Sequence, residues 1–301
     1  MKILLAGASG FIGRALLHEL QRQGYELIYL CRDKRFMPPA PDNVQYIEAD
    51  LLRTTTLRLP VDVDVAYYLR PYIAPDSMVF NRLQFILAEN FIKALEETSC
   101  RQLISLTGIT TDRQNESSRI NHLLLQGNIP CTIVKTAPIL AAESVFFTSI
   151  HTLVKKLPII ILPGWLKNSL QQPIALQDLV ACLTGILLNT SSFNRDFDVC
   201  GPDVMTYKDL LLTYARLLKL SRTTLSIPVP GILWTRFLGM LMELPVEQVR
   251  SLNRHLRHTL TCDTTSLQQL AGITPTGFEQ ALQNLAVPPA PVRTAERLYT
   301  A

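Results

Sequence analysis

Gly7, Gly10 and Gly13, in the run KILLAGASGFIGRALLHEL, are the residues whose type and spacing point most directly to chemistry. A short apolar stretch precedes them, and an amphipathic one follows with Ile12, Ala15, Leu16 and Leu20 on one face at helical spacing. A strand that turns at once into a helix makes three demands: a residue tolerant of positive φ, backbone without a Cβ where a phosphate approaches, and close contact between helix and strand. Backbone N–H groups along Ser9, Gly10, Phe11, Ile12 and Gly13 then meet an anion at a helix N-terminus, where the peptide dipoles leave partial positive charge. The expected ligand is the pyrophosphate of a dinucleotide.

The second strand should decide which dinucleotide, because an NAD site usually offers a carboxylate to the ribose hydroxyls there. This chain reads YLCRDKR, with Cys31 at the carboxylate position, Arg32 and Arg35 after it, and Arg14 at the start of the first helix. A guanidinium cannot accept from a hydroxyl, but it can hold a 2′-phosphate through paired charge-assisted bonds of about 1.5–3 kcal/mol each. The expectation is NADP(H) over NAD(H). The alternative makes Arg32 and Arg35 solvated loop charges and Asp33 the ribose ligand. Asp50, after the third strand, is a candidate acceptor for the adenine amino group with Leu51 packed on the ring, or else a helix cap. Leu69, ending the fourth strand, completes the candidate cofactor set.

The elements that must position these residues alternate from the start, which predicts an α/β fold: a doubly wound parallel sheet of Rossmann type with a smaller, mainly helical C-terminal lobe. Strands are expected at Lys2–Ala6, Tyr25–Cys31, Val44–Ile47, Val63–Leu69, Arg101–Thr107 and Cys131–Lys135, with an edge strand at Phe197–Cys200. Helices are expected at Phe11–Gln23 and Ser77–Thr98. The dinucleotide domain would then span 1–140 plus about 173–200, and the lobe 141–172 and 201–286, helical and loop-like. A loosely attached tail would cover 287–301.

Composition narrows the function classes. At 301 residues with 48% hydrophobic and 18% charged content, the chain can fill a large core. A net charge of +4 without blocks of like charge argues against nucleic acid as a partner. Six cysteines stand far apart with no histidine at ligand spacing, so no metal is expected, and reduced, mostly buried thiols in a cytoplasmic protein are. Lys155 and Lys156 break the longest apolar region, leaving no expected membrane span.

These residues resemble the short-chain dehydrogenase/reductase superfamily in its extended and atypical branches. The likeness rests on the GASGFIG turn, the AD-L after the third strand, NFIKALEETS leading to RQLISLTG, CTIVKTAPIL, and QQPIALQDLVACL. Their order is most similar to the NAD(P)-binding subgroup of NmrA-like proteins and relatives of the nucleotide-binding accessory subunit of respiratory complex I. The resemblance implies a Tyr-x-x-x-Lys pair between the fifth and sixth strands, the lysine lowering the tyrosine pKa. None of the nine tyrosines here has a lysine four residues later. Thr107, His122 and Lys135 are the weak catalytic candidates that remain, with a strand-end hydrogen bond, a surface position and a salt bridge as their respective plainer roles.

The resemblance also implies a pocket wall from Pro138, Ile139, Leu140, Phe146, Phe147, Ile159–Leu162 and Trp165, and hence an apolar small-molecule ligand, unless these side chains are simply core. The apolar stretch IPVPGILWTRFLGMLMELP fits a helix of the lobe, or a surface that meets a protein partner or the face of a membrane. Two functions follow. One is an NADP(H)-dependent oxidoreductase reducing a small apolar carbonyl or enone without the Tyr–Lys pair; the other is a non-catalytic NADP(H) sensor or an accessory or assembly protein of a respiratory-type complex.

Overall fold

The computed structural model describes residues 1–69, 78–109, 116–259, 261–262 and 265–285. Seven parallel strands form the main sheet: β1 (Lys2–Ala6), β2 (Glu26–Cys31), β3 (Val44–Glu48), β4 (Val65–Leu69), β5 (Gln102–Gly108), β6 (Cys131–Thr136) and, after four short strands, β11 (Arg195–Val199). Their spatial order is β11-β6-β5-β4-β1-β2-β3, so the winding reverses between β1 and β4. Ala6, the last residue of β1, stands level with Leu30 on one side and Tyr68 on the other.

Both faces of the sheet are covered, which is why its strands read as near-continuous apolar runs rather than alternating ones. Ile3, Leu5, Val65, Tyr67 and Leu69 point to a core shared with α1 (Phe11–Arg22), α5 (Leu176–Gly185) and α9 (Thr265–Ala271). Leu4, Ala6, Ala66 and Tyr68 point to the opposite core, under α2 (Met78–Glu96) and α3 (Glu116–Leu125). Gln102, fully buried on β5, ties the sheet to the end of α5: its amide donates to Ile186 O (3.1 Å) and its carbonyl accepts from Leu188 N (2.6 Å).

A separate core holds the lobe. It gathers Phe146, Phe147, Ile150 and Leu153 of α4 (Val145–Lys156), Tyr207 and Leu211 of α6 (Tyr207–Leu217), Trp234 and Leu238 of α7 (Gly231–Met242), Leu252 and Leu256 of α8 (Val246–Leu256), and Phe278 of α10 (Phe278–Asn284). The lobe is less purely helical than the sequence suggests. β8 (Ile159–Pro163) and β13 (Thr223–Ile227) pair in parallel, joining two β-branched runs more than fifty residues apart. The short pair β7 (Ile139–Leu140) with β10 (Ile174–Ala175) borders both cores, Ile139 and Ile174 facing the sheet core and Leu140 and Ala175 the lobe core, while β9 (Leu170–Gln171) pairs with β12 (Met205–Thr206) inside the lobe.

One expectation is corrected outright. Cys200, buried at the end of β11, and Cys262 form a disulfide with Cα atoms 6.4 Å apart. A separation of 62 residues in sequence hid a contact that the fold makes by bringing the segment after α8 back to the sheet. Cys31, Cys131 and Cys182 are buried and Cys100 is partly exposed, and none of these four forms a disulfide. No helix among the described residues is long and apolar enough to cross a membrane. The expected tail at 287–301 and Ser77, the expected start of α2, lie outside the described residues.

Candidate cofactor and substrate site

A ligand of a doubly wound sheet sits in the crevice where the winding reverses, beyond the carboxyl ends of the strands. Here that crevice opens between β1 and β4. Gly7 follows β1 with φ of +77°, a left-handed conformation that glycine adopts without strain. A Cβ on Gly13 would lie 2.3 Å from Ala8 Cα and 2.4 Å from Ala8 O, so only glycine lets α1 close onto the turn. Gly10 caps α1 with nothing within 4 Å of where its Cβ would be, no side chain caps the helix, and its first turn holds no acidic residue. The N–H groups at Phe11, Ile12 and Gly13 thus present donors and positive potential to an open space, which fits a pyrophosphate.

Arg14, one residue on, is engaged within the protein. Its Nη1 donates to Ser9 O (2.7 Å) and its Nη2 pairs with Glu143, just ahead of α4, so a charged strap crosses the edge of the phosphate turn. Glu143 was not legible as a site residue, because nothing local relates it to the turn 129 positions earlier.

At the end of β2 the carboxylate position is a thiol. Cys31 is buried, its Sγ donates to Ile47 O (3.7 Å), and burial raises its pKa. Asp33 accepts from Arg35 N (2.9 Å) and from Arg35 Nε and Nη2 (3.0 and 2.6 Å), and these bonds hold its carboxyl below the ordinary carboxylate value. Arg32 and Arg35 are both exposed beside it. Asp50 accepts from Leu52 N (3.0 Å) and so caps its own turn, while the Leu51 carbonyl accepts from Asn90 Nδ2 (2.8 Å). Leu69 is buried at the mouth of the crevice.

The three catalytic candidates are not brought together. Thr107 is partly buried on β5, level with Lys135 on β6. Lys135 Nζ bridges to Asp196 and to Asp198 (3.2 Å) on β11; burial works against its charge, but the two carboxylates outweigh it and keep its pKa raised. His122 is exposed in the last turn of α3, which runs back from the carboxyl edge of the sheet. The phenols of the lobe are occupied: Tyr207 Oη lies 2.7 Å from Ser149 Oγ, and Tyr214 Oη 2.7 Å from His151 Nδ1. Of the expected pocket wall, Phe146, Phe147, Ile160 and Leu162 pack into the lobe core, and Trp165 lies under the Arg257 guanidinium at 4.8 Å.

One side chain that the sequence did not single out does reach the carboxyl edge. His255, partly buried near the end of α8, places Nε2 4.0 Å from where a Cβ on Gly108 would be, at the exposed end of β5. Its Nδ1 lies 2.7 Å from Ser251 O; a carbonyl only accepts, so Nδ1 carries the proton and the neutral ring presents a lone pair at Nε2. Burial lowers its pKa below 6.5, with the neighbouring Arg254 and His258 adding to the shift. Helix periodicity places His255 on α8 but says nothing of β5, nearly 150 positions away.

Residues 3–149 match the NAD dependent epimerase/dehydratase family. No curated protein matches the chain. Among solved structures, triphenylmethane reductase from Citrobacter sp. superposes with a TM-score of 0.76 at 16% identity, covering 95% of this chain and all of the other. A nucleoside-diphosphate-sugar epimerase from Staphylococcus aureus gives 0.75 at 15%, covering 94% and 100%. RMD from Pseudomonas aeruginosa, complexed with NADPH, gives 0.66 at 12%, covering 95% and 99%. At these identities the superpositions speak for the fold, and the family match for the nucleotide half. Over residues 3–149, on a Rossmann-like sheet, the chain is thus similar to the NAD dependent epimerase/dehydratase family.

Proposed function

We propose that this chain is an NADP(H)-dependent oxidoreductase that reduces a small apolar carbonyl or enone without the Tyr-x-x-x-Lys pair. The observation that carries the reading is the end of β2. There a buried thiol replaces the ribose-binding carboxylate, Asp33 is turned onto Arg35, and two exposed guanidinium groups stand within the same short turn. When bound, the nicotinamide supplies hydride to the substrate. The chain's own part is to hold the phosphates at α1, to orient the substrate over the ends of β4, β5 and β6, and to manage the proton.

The reductase among the structural neighbours is a precedent for reduction on this scaffold, and fold alone does not choose between reductase and epimerase. The deciding experiment follows NADPH oxidation against a panel of quinones, enones and aldehydes. Turnover of at least one class above the no-substrate rate supports the reading. Tight NADPH binding with no turnover across the panel overturns it in favour of a non-catalytic sensor or accessory subunit. That second reading draws on the missing pair and on α7, which exposes Ile232, Leu233 and Met240 as a face a partner or membrane surface could cover.

A further inference from the structure

Resting on the oxidoreductase reading, we propose that His255 is the catalytic acid–base of this chain, exchanging a proton with the substrate oxygen in the space above Gly108. Three observations converge on it. The imidazole reaches the carboxyl end of β5, on the side of the winding reversal where the reacting half of a ligand lies. Gly108 is exposed and carries no side chain, so an oxygen can approach Nε2 from the crevice. The bond from Nδ1 to Ser251 O fixes the ring and the tautomer and leaves Nε2 as the atom that exchanges protons.

The end of α8 is held for this purpose. Ser169 Oγ donates to Leu256 O, Gln171 Nε2 donates to His258 O (3.1 Å), and Cys262, bonded to Cys200, donates its N–H to Gln172 Oε1 (2.9 Å). These contacts hold the helix end, and the histidine on it, against the β9 segment and, through Cys262 and Cys200, near the end of β11. The other proton carriers considered are committed elsewhere: Lys135 to two aspartates, Tyr207 and Tyr214 within the lobe, His122 on the outer face of α3. Arg254 and His258 act on His255 from its own segment, while β5 and the Ser169–Gln172 segment present no ionisable side chain.

In reduction, the carbonyl carbon accepts hydride, the C=O π pair moves to oxygen, and that oxygen takes the Nε2 proton. The imidazole is then reprotonated from water, so each turnover consumes one carbonyl, one NADPH and one proton and yields one alcohol and one NADP⁺. In the reverse direction neutral Nε2 takes the hydroxyl proton. A general acid works only while protonated, so reduction falls as pH rises through the His255 pKa, below 6.5, and alcohol oxidation rises over the same range.

The test compares wild type with H255Q in three ways. NADPH affinity by calorimetry should agree within about twofold, since His255 does not touch the phosphate turn, whereas reduction of 2-cyclohexenone or 4-nitrobenzaldehyde at pH 6 should slow by about 100-fold and lose its acid limb. In the wild-type NADP⁺ complex, the His255 imidazole resonance, assigned by its loss in H255Q, should move when 2-cyclohexenone is added while the other histidine resonances stay put. A rate within about threefold of wild type with an unchanged pH profile overturns the proposal and leaves the oxidoreductase reading standing. If neither carbonyl is turned over, the resonance decides: unmoved, it overturns the proposal; moved alone, it supports it. Absence of NADPH binding to wild type removes the reading and the proposal together.

Discussion

Gly13 and Arg32 carry different parts of the cofactor account, and they separate in experiment. A methyl group at Gly13 collides with backbone atoms of Ala8, which cannot rotate away as a side chain could. Gly13→Ala should therefore push α1 off the turn, cost on the order of 1–3 kcal/mol of stability and weaken NADPH and NADH binding alike, as read by thermal melting and calorimetry. Arg32→Ala removes the guanidinium that the proposed reading sets against a 2′-phosphate, without touching the glycine turn after β1. NADPH affinity should fall about tenfold or more, at least about 1.4 kcal/mol, with NADH affinity within about twofold of wild type. Equal losses for both cofactors would place Arg32 away from the 2′-phosphate.

Elements explain what was legible. The sheet strands and α1 were readable because each is a local signal, an apolar run or a helical stripe bounded by glycine, and the observed bounds differ by a residue or two where strand ends meet loops. The phosphate turn was readable for the same reason. The β8–β13 pair was not, since each strand is short and finds its partner only across the lobe. Nor was His255, whose meaning depends on β5. Gln102 is the polar counterpart: in sequence a glutamine opening a strand, in the fold a buried clasp between β5 and the end of α5. Gln102→Leu strands the Leu188 N–H and the Ile186 carbonyl without that partner, a loss of about 1–3 kcal/mol for a buried group left unsatisfied, and should lower the melting temperature by several degrees with cofactor affinity at 25 °C preserved.

At the scale of the whole molecule, sheet and lobe have separate cores that meet at the β7–β10 pair and are tied by the Arg14–Glu143 strap and the Cys200–Cys262 bond. The bond closes a long loop containing α6, α7 and α8, and the chain-entropy limit for a loop of that length is about 4 kcal/mol. Unfolded without reductant, the protein should expose four reactive thiols, those of Cys31, Cys100, Cys131 and Cys182, and six after reduction. Six without reductant would mean the bond is not formed. Reduction should also lower the melting temperature and loosen the hold on α8, so that reductase activity declines before NADPH affinity does.

The central claim, that the turn after β1 and the arginines after β2 together select a 2′-phosphorylated dinucleotide, is tested most directly by calorimetric titration of the purified chain with NADPH and, separately, NADH. Binding of NADPH at least about tenfold tighter than NADH, with the gap closing in Arg32→Ala, is the predicted result. Equal affinities, or tighter NADH, would contradict it and return the ribose to Asp33.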